Sequence, residues 1–348
     1  MKRREFITVI GGAAATWPIA AQAQQSTRPV VALVNGGTAD ALVRQAAAFR
    51  KGLSETGYDE EKNVTVEYHL LAGQYALLPD LLDSLIRRRV AVIATPGSTP
   101  SALAAKAATT TIPIVFGVGD DPVALGLIAN FAKPGGNVTG INFFAFQVTA
   151  KRLGLMHELL PKATRFAVLV NPDNAPSTES FERVKKAAHD LGLDVLFFKA
   201  STSAEIDAAF TAMARERVDA LFIGGDSFFL GRRVQFATLA IRDRLPASFP
   251  AREMVETGLL MSYGTSLADM FRQVGIYTGS ILNGAKPTEL PVLQSTKFEF
   301  VINLQTARSL QIEIPPTLLA RADEVFLTHS GSRADAIAAT RNSSRRVC

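Results

Sequence analysis

Short unbroken runs of apolar and β-branched residues recur along this chain, and each is followed by a stretch with helical spacing. Val30-Val31-Ala32-Leu33-Val34 ends at Asn35-Gly36-Gly37, and a helix is predicted from about Ala39 to Thr56. The next runs are Val64 to Tyr68, Val90 to Ala94 and Ile114 to Phe116, separated by predicted helices at Leu77 to Arg88 and Pro100 to Ala108. Runs of this length alternating with helices predict βαβ units. Their continuity, rather than an in-out alternation, fits parallel strands covered on both faces.

The rhythm restarts after Asn142. Predicted helices at Phe146 to Leu160, Thr178 to Leu191 and Ala204 to Arg215 alternate with the runs Phe166 to Val170, Val195 to Phe197 and Ala220 to Ile223. Two successive halves imply an α/β protein of two doubly wound parallel-sheet lobes. The length, 348 residues, exceeds what one hydrophobic core usually grows to. Leu259 to Tyr263 and Phe298 to Ile302 also have strand character, but pattern alone assigns them to neither lobe. Beyond Thr328 the chain turns polar, and a flexible tail is expected over residues 328–348.

The first residues look like an export signal. Lys2-Arg3-Arg4 precedes the weakly apolar stretch Val9 to Ala20, and Ala21-Gln22-Ala23 has the small-x-small form of a cleavage site. The arginine pair followed by Phe6 resembles a twin-arginine address. Gly11, Gly12 and Pro18 argue against a membrane anchor, so residues 1–23 are expected to be removed and the protein released into the periplasm. The only cysteine is Cys348, which excludes an internal disulfide and leaves thiolate chemistry unsupported. A net charge of +5 spread without a basic block gives no ground for nucleic-acid binding.

In open α/β sheets, ligands bind beyond the carboxyl ends of the strands. That rule selects Asn35 after the first strand and Gly97-Ser98-Thr99-Pro100 after the third. Ser98 or Thr99 can cap the following helix, whose amides and dipole suit a ligand carboxylate; a plain helix cap is the alternative. Gly117-Val118-Gly119-Asp120-Asp121-Pro122 begins like a dinucleotide loop, but proline stands at the third glycine position. Asp120 and Asp121 are therefore read as hydrogen-bond acceptors or caps, with Asp121 the candidate site residue. Asn171 and Asp226 occupy equivalent positions in the second half. Asp226 could meet a ligand ammonium or simply close a turn, and Phe228 or Phe229 could wall a pocket or fill the core.

There is no GxxxxGK[ST] and no GxSxG in the chain. The histidines, His69, His157, His189 and His329, are scattered, with no metal or triad spacing. No metal, cofactor or catalytic residue is expected.

Several motifs together carry a resemblance: Arg3-Arg4-Glu5-Phe6-Ile7-Thr8, Asp121-Pro122-Val123, Pro134-Gly135-Gly136-Asn137-Val138-Thr139-Gly140, Ser262-Tyr263-Gly264, Ile281 to Pro287 and Phe298 to Ala307. The chain resembles the bacterial ABC-transporter substrate-binding proteins of the tryptophan/tyrosine transport family, with the type I periplasmic-binding-protein fold. The resemblance implies two hinged lobes enclosing a small amino-acid-like or aromatic carboxylated ligand, and handover to an ABC permease and its ATPase. A monomer is expected. Lobe 1 would comprise 28–142 with about 259–290, and lobe 2 would comprise 143–258 with about 291–327. Asn142 and Phe143 would lie at the first crossing, and Tyr263 on the strand returning to lobe 1. The ligand carboxylate would meet Ser98 and Thr99, and its ammonium Asp226. The same scaffold could alternatively serve a periplasmic sensor, or a racemase or isomerase using Asp121 with a lysine or tyrosine.

Overall fold

A computed structural model describes residues 28–143, 147–174 and 178–326. The export signal expected at 1–23 and the tail expected at 328–348 lie outside the described residues. Five strands open the chain: β1 (Val30–Asn35), β2 (Thr65–Leu70), β3 (Val92–Pro96), β4 (Ile114–Val118) and β5 (Val138–Asn142). Five more follow: β6 (Arg165–Val170), β7 (Asp194–Lys199), β8 (Ala220–Ile223), β9 (Ala247–Phe249) and β10 (Met261–Thr265). The last three are β11 (Leu293–Gln294), β12 (Phe298–Asn303) and β13 (Glu324–Phe326).

They form two sheets, a six-stranded one ordered β11-β5-β4-β3-β1-β2 and a seven-stranded one ordered β13-β12-β10-β9-β8-β6-β7. All pairings are parallel except β10 with β12. Alternate residues of each strand feed separate cores. Val31, Leu33, Val92 and Ala94 face the helices Val43–Ser54 and Leu267–Leu282, while Ala32, Val34, Ile93 and Phe116 pack with Leu78, Leu82 and Ala102 on the other side. In the second sheet Phe166, Val168 and Val170 enter one core, and Ala167 and Leu169 the other. Burial on both faces is why these strands carry no polar alternation. Each large side chain so buried stabilises the lobe by about 1.5–3 kcal/mol.

The chain crosses between the lobes three times: between Asn142 and Gln147, between Thr265 and Leu267, and between Gln294 and Phe298. Thr265 Oγ1 donates to the Phe143 carbonyl at 2.6 Å, tying two crossings together. The lobe boundaries differ from those expected. The Leu259 to Gly264 segment does not return to the first lobe: β10 pairs with β9 and β12 inside the second sheet, and Met261 and Tyr263 face that lobe's core. The segment that returns is the helix Leu267–Leu282. It seats against the helix Val43–Ser54 so closely that a Cβ on Gly275 would stand 2.2 Å from Phe49 O. β11, placed in lobe 2 by the expected boundary, pairs with β5 of the first sheet. An apolar run fits whichever sheet offers it two neighbours, and here the short β9–β10 connection through Arg252–Thr257 holds the strand beside its predecessor.

Candidate functional site

The carboxyl ends of both sheets face each other across a cavity lined by both lobes. In the first lobe Asn35 Nδ2 donates to Pro96 O at 2.6 Å, and its Oδ1 accepts from Gly37 N at 2.6 Å. The side chain thereby fixes two strand ends at the cavity wall. Gly97 follows with φ of +75°, a conformation glycine adopts without steric cost. Ser98 then caps the helix Thr99–Ala108, its Oγ accepting from Ser101 N. Thr99 Oγ1 donates to Asp120 Oδ2 at 3.0 Å, and both residues line the cavity.

In the second lobe Asp226 caps the short helix Ser227–Gly231. It accepts from Phe229 N at 2.9 Å, Asn171 Nδ2 at 3.2 Å and Asn174 Nδ2 at 2.9 Å. Burial raises its carboxyl above the ordinary value, and these donors oppose the rise. Asn171, Asn174 and Asp226 thus present one polar cluster in a wall that is otherwise largely apolar, with Val148, Val168, Val170, Phe197, Phe222 and Leu230 beside it.

The structure gathers Asn35, Thr99, Phe143, Asn171 and Asp226 around the cavity and leaves Ser98, Asp121, Asn142 and Tyr263 out of its lining. Ser98 is turned to Ser101, with the two Oγ atoms 2.8 Å apart. Asp121 is exposed, and its Oδ1 caps a turn through Val123 N and Ala124 N; its neighbour Asp120 is the acid at the cavity. This geometry gives no support to acid/base work by Asp121 inside the cleft. Asn142 Nδ2 donates to Asp120 O at 2.5 Å, a second layer behind that acid. Tyr263 stacks on Phe298, with Lys151 Nζ 4.6 Å from its ring centre.

Arg152 was not foreseen. It lines the cavity from the helix Gln147–Leu159, is 2% exposed, and lies over the Phe222 ring at 3.8 Å. The signal for it is present in the sequence: Arg152 falls four residues after Val148 and three and four before Leu155 and Met156, on the apolar stripe of its helix. A charge at this position interrupts an otherwise apolar stripe.

The lobes are closed on each other. Ser227 Oγ donates to Gly97 O at 2.6 Å, Arg44 meets Glu256 at 2.9 and 3.1 Å, Gln45 Nε2 reaches Glu253 Oε1 at 2.7 Å, and Arg233 pairs with Asp40 at 3.0 Å. No helix among the described residues is long and apolar enough to cross a membrane. Among the same residues no three His, Cys, Asp or Glu side chains come together as a metal site.

Comparison with known proteins agrees with this architecture. The family described as ABC transporter substrate binding protein matches over residues 30–326. The Tyrosine-binding protein of Clostridioides difficile (strain R20291) is 25% identical over 272 residues, which are 78% of this chain and 78% of that one. An ABC domain from Streptococcus pneumonia, solved in complex with L-Trp, is 25% identical with a TM-score of 0.78, covering 86% of this chain and 100% of that one. The ligand-free, open structure of a substrate binding protein with adhesive properties from Clostridium difficile is 25% identical, over 83% of this chain and 96% of that one. Its TM-score of 0.59 is the lower of the two, as expected if this chain's lobes stand in the closed arrangement. The chain belongs to the ABC transporter substrate-binding protein family.

Proposed function

We propose that the protein is the periplasmic, exported, monomeric receptor of an ABC importer, and that it closes its lobes around an aromatic or similarly apolar amino acid. The observation that carries this reading is the interlobe cavity itself. Its walls combine Val148, Val168, Val170, Phe197 and Phe222 with the acids Asp120 and Asp226 and the cation Arg152. Apolar surface with a few convergent polar groups is the usual make-up of a small-molecule site. The two acids suit an ammonium, and the apolar wall suits a large side chain. Two relatives, one called a Tyrosine-binding protein and one solved with L-Trp, support the same ligand class. Closure follows because only the closed state touches the ligand from both sides, so binding shifts the equilibrium towards it.

The only tryptophan in the sequence is Trp17. A chain beginning at Gln24 therefore contributes no indole emission, and L-tryptophan fluorescence can be followed directly, with calorimetry for L-tyrosine, L-phenylalanine and the aliphatic amino acids. Saturable 1:1 binding without chemical change of the ligand, accompanied by compaction in solution scattering, is the expected result. Absence of binding across the panel would overturn the ligand class.

A further inference from the structure

The cavity's polarity differs from what the helix cap at Ser98 and Thr99 suggests. Ser98 Oγ is committed to Ser101, and Thr99 Oγ1 to the carboxylate of Asp120. A ligand carboxylate placed there would sit beside the buried carboxyl group of Asp120. Among the described residues lining the cavity, Arg152 is the only lysine or arginine.

Arg152 is a cation in unusual isolation. Its Nη2 donates to Ile223 O at 2.8 Å, but Nε and Nη1 are buried and have no hydrogen-bond partner among the described residues. Desolvation alone pushes its guanidinium down to about 9, with no neighbouring charge contributing. The Phe222 ring beneath it supplies only a partial counterweight. Buried charges are ordinarily paired, and a guanidinium with free Nε, Nη1 and second Nη2 hydrogens can still offer a carboxylate two parallel bonds.

We propose that Arg152 is the ligand's carboxylate receptor, placed on the second lobe, and that the ammonium is left to the Asp120 and Asp226 side of the cavity. This rests on the amino-acid reading above and deepens it. The ligand class is then a zwitterion whose carboxylate lies against the Phe222 wall. Closing the lobes without an anion strands an unpaired cation in a dry cavity, so the carboxylate is required for closure as well as for affinity.

The test uses the chain from Gln24 and whichever of L-tryptophan, L-tyrosine or L-phenylalanine binds it, compared with that amino acid's primary carboxamide and its decarboxylated amine. The parent should prefer the carboxylate about 100-fold, and the amine should bring no compaction in scattering. Arg152→Met should abolish most of that preference while melting no lower than the parent, since it replaces an unpaired buried cation with an apolar chain. If the methionine variant does not fold, Arg152→Lys, which keeps a charge but not the planar fork, should reduce the preference at least about 10-fold. An unchanged preference in either folded variant overturns the placement while leaving the amino-acid reading intact. Equal binding of carboxylate and amine by the parent also overturns the placement, and failure of all the amino acids to bind overturns both readings.

Discussion

Replacing Gln45 with methionine should weaken ligand binding from a position that cannot touch the ligand. Gln45 is fully buried on the helix Val43–Ser54, and its Nε2 donates to Glu253 Oε1 of the other lobe at 2.7 Å. Neither residue lines the cavity. The contact exists only when the lobes meet, so its free energy enters the closing equilibrium alone. A hydrogen bond of this kind contributes about 1–2 kcal/mol, and methionine roughly preserves the volume inside the first lobe. If the ligand-free protein is mainly open, the whole difference appears in the apparent Kd, which should rise about 5- to 30-fold. A ligand-free protein already closed would show no such shift, so scattering of the unliganded form is measured beside the titration. An open unliganded state with a Kd within about twofold of the parent would refute the reasoning.

The remaining predictions concern pH, the polar cluster and the packing. Burial, helped by the like charge of Glu256, raises the Glu253 carboxyl above its ordinary value despite its own backbone, Arg44 and Arg252. Its Oε2 and Gln45 Oε1 are both buried without a donor, and a protonated Oε2 supplies one. A carboxyl raised in the closed form strengthens closure below its open-state pKa and loses that contribution as pH rises through the closed-state value. Affinity measured by calorimetry should therefore increase as pH falls from neutral towards about 5, and Glu253→Gln should flatten the profile. Asp226→Ala removes the acceptor of Phe229 N, Asn171 Nδ2 and Asn174 Nδ2; it should cost about 2–3 kcal/mol in denaturant unfolding and weaken amino-acid binding. Gly275→Ala should destabilise the first lobe by about 1–3 kcal/mol, read as a lower Tm, because the new Cβ meets the Phe49 backbone at 2.2 Å.

Much of the architecture was legible because parallel strands buried on both faces leave a simple trace. Val31 and Leu33 feed one core, and Ala32 and Val34 the other, so the run contains no polar interruption and its flanking helices stand out. The lobe assignment of Leu259 to Thr265 was not legible in the same way. Met261 and Tyr263 are apolar enough for either sheet, and the choice is made by pairing with β9 and with the distant β12. Sequence spacing does not encode that pairing. The three crossings between lobes likewise depend on where partners lie, and β11 is only two residues long, too short to leave a pattern.

The candidate site shows the same division at the level of single side chains. Strand-end position singles out Asn35, Thr99, Asn171 and Asp226, all of which lie around the cavity, because the rule depends only on where strands stop. It does not choose between Asp120 and Asp121, which are adjacent and chemically alike. That choice is made by orientation: Asp120 turns to Thr99 Oγ1, whereas Asp121 turns out to cap Val123 N and Ala124 N. Arg152 escaped for a different reason, since a search confined to strand ends never inspects a helix. Yet Val148, Leu155, Met156 and Leu159 are all buried on its helix, and their three- and four-residue spacing places Arg152 among them. Burying a guanidinium there opposes the fold unless something arrives to pair with it. A charge in the middle of an apolar stripe beside the cleft is the feature on which the proposed carboxylate contact rests.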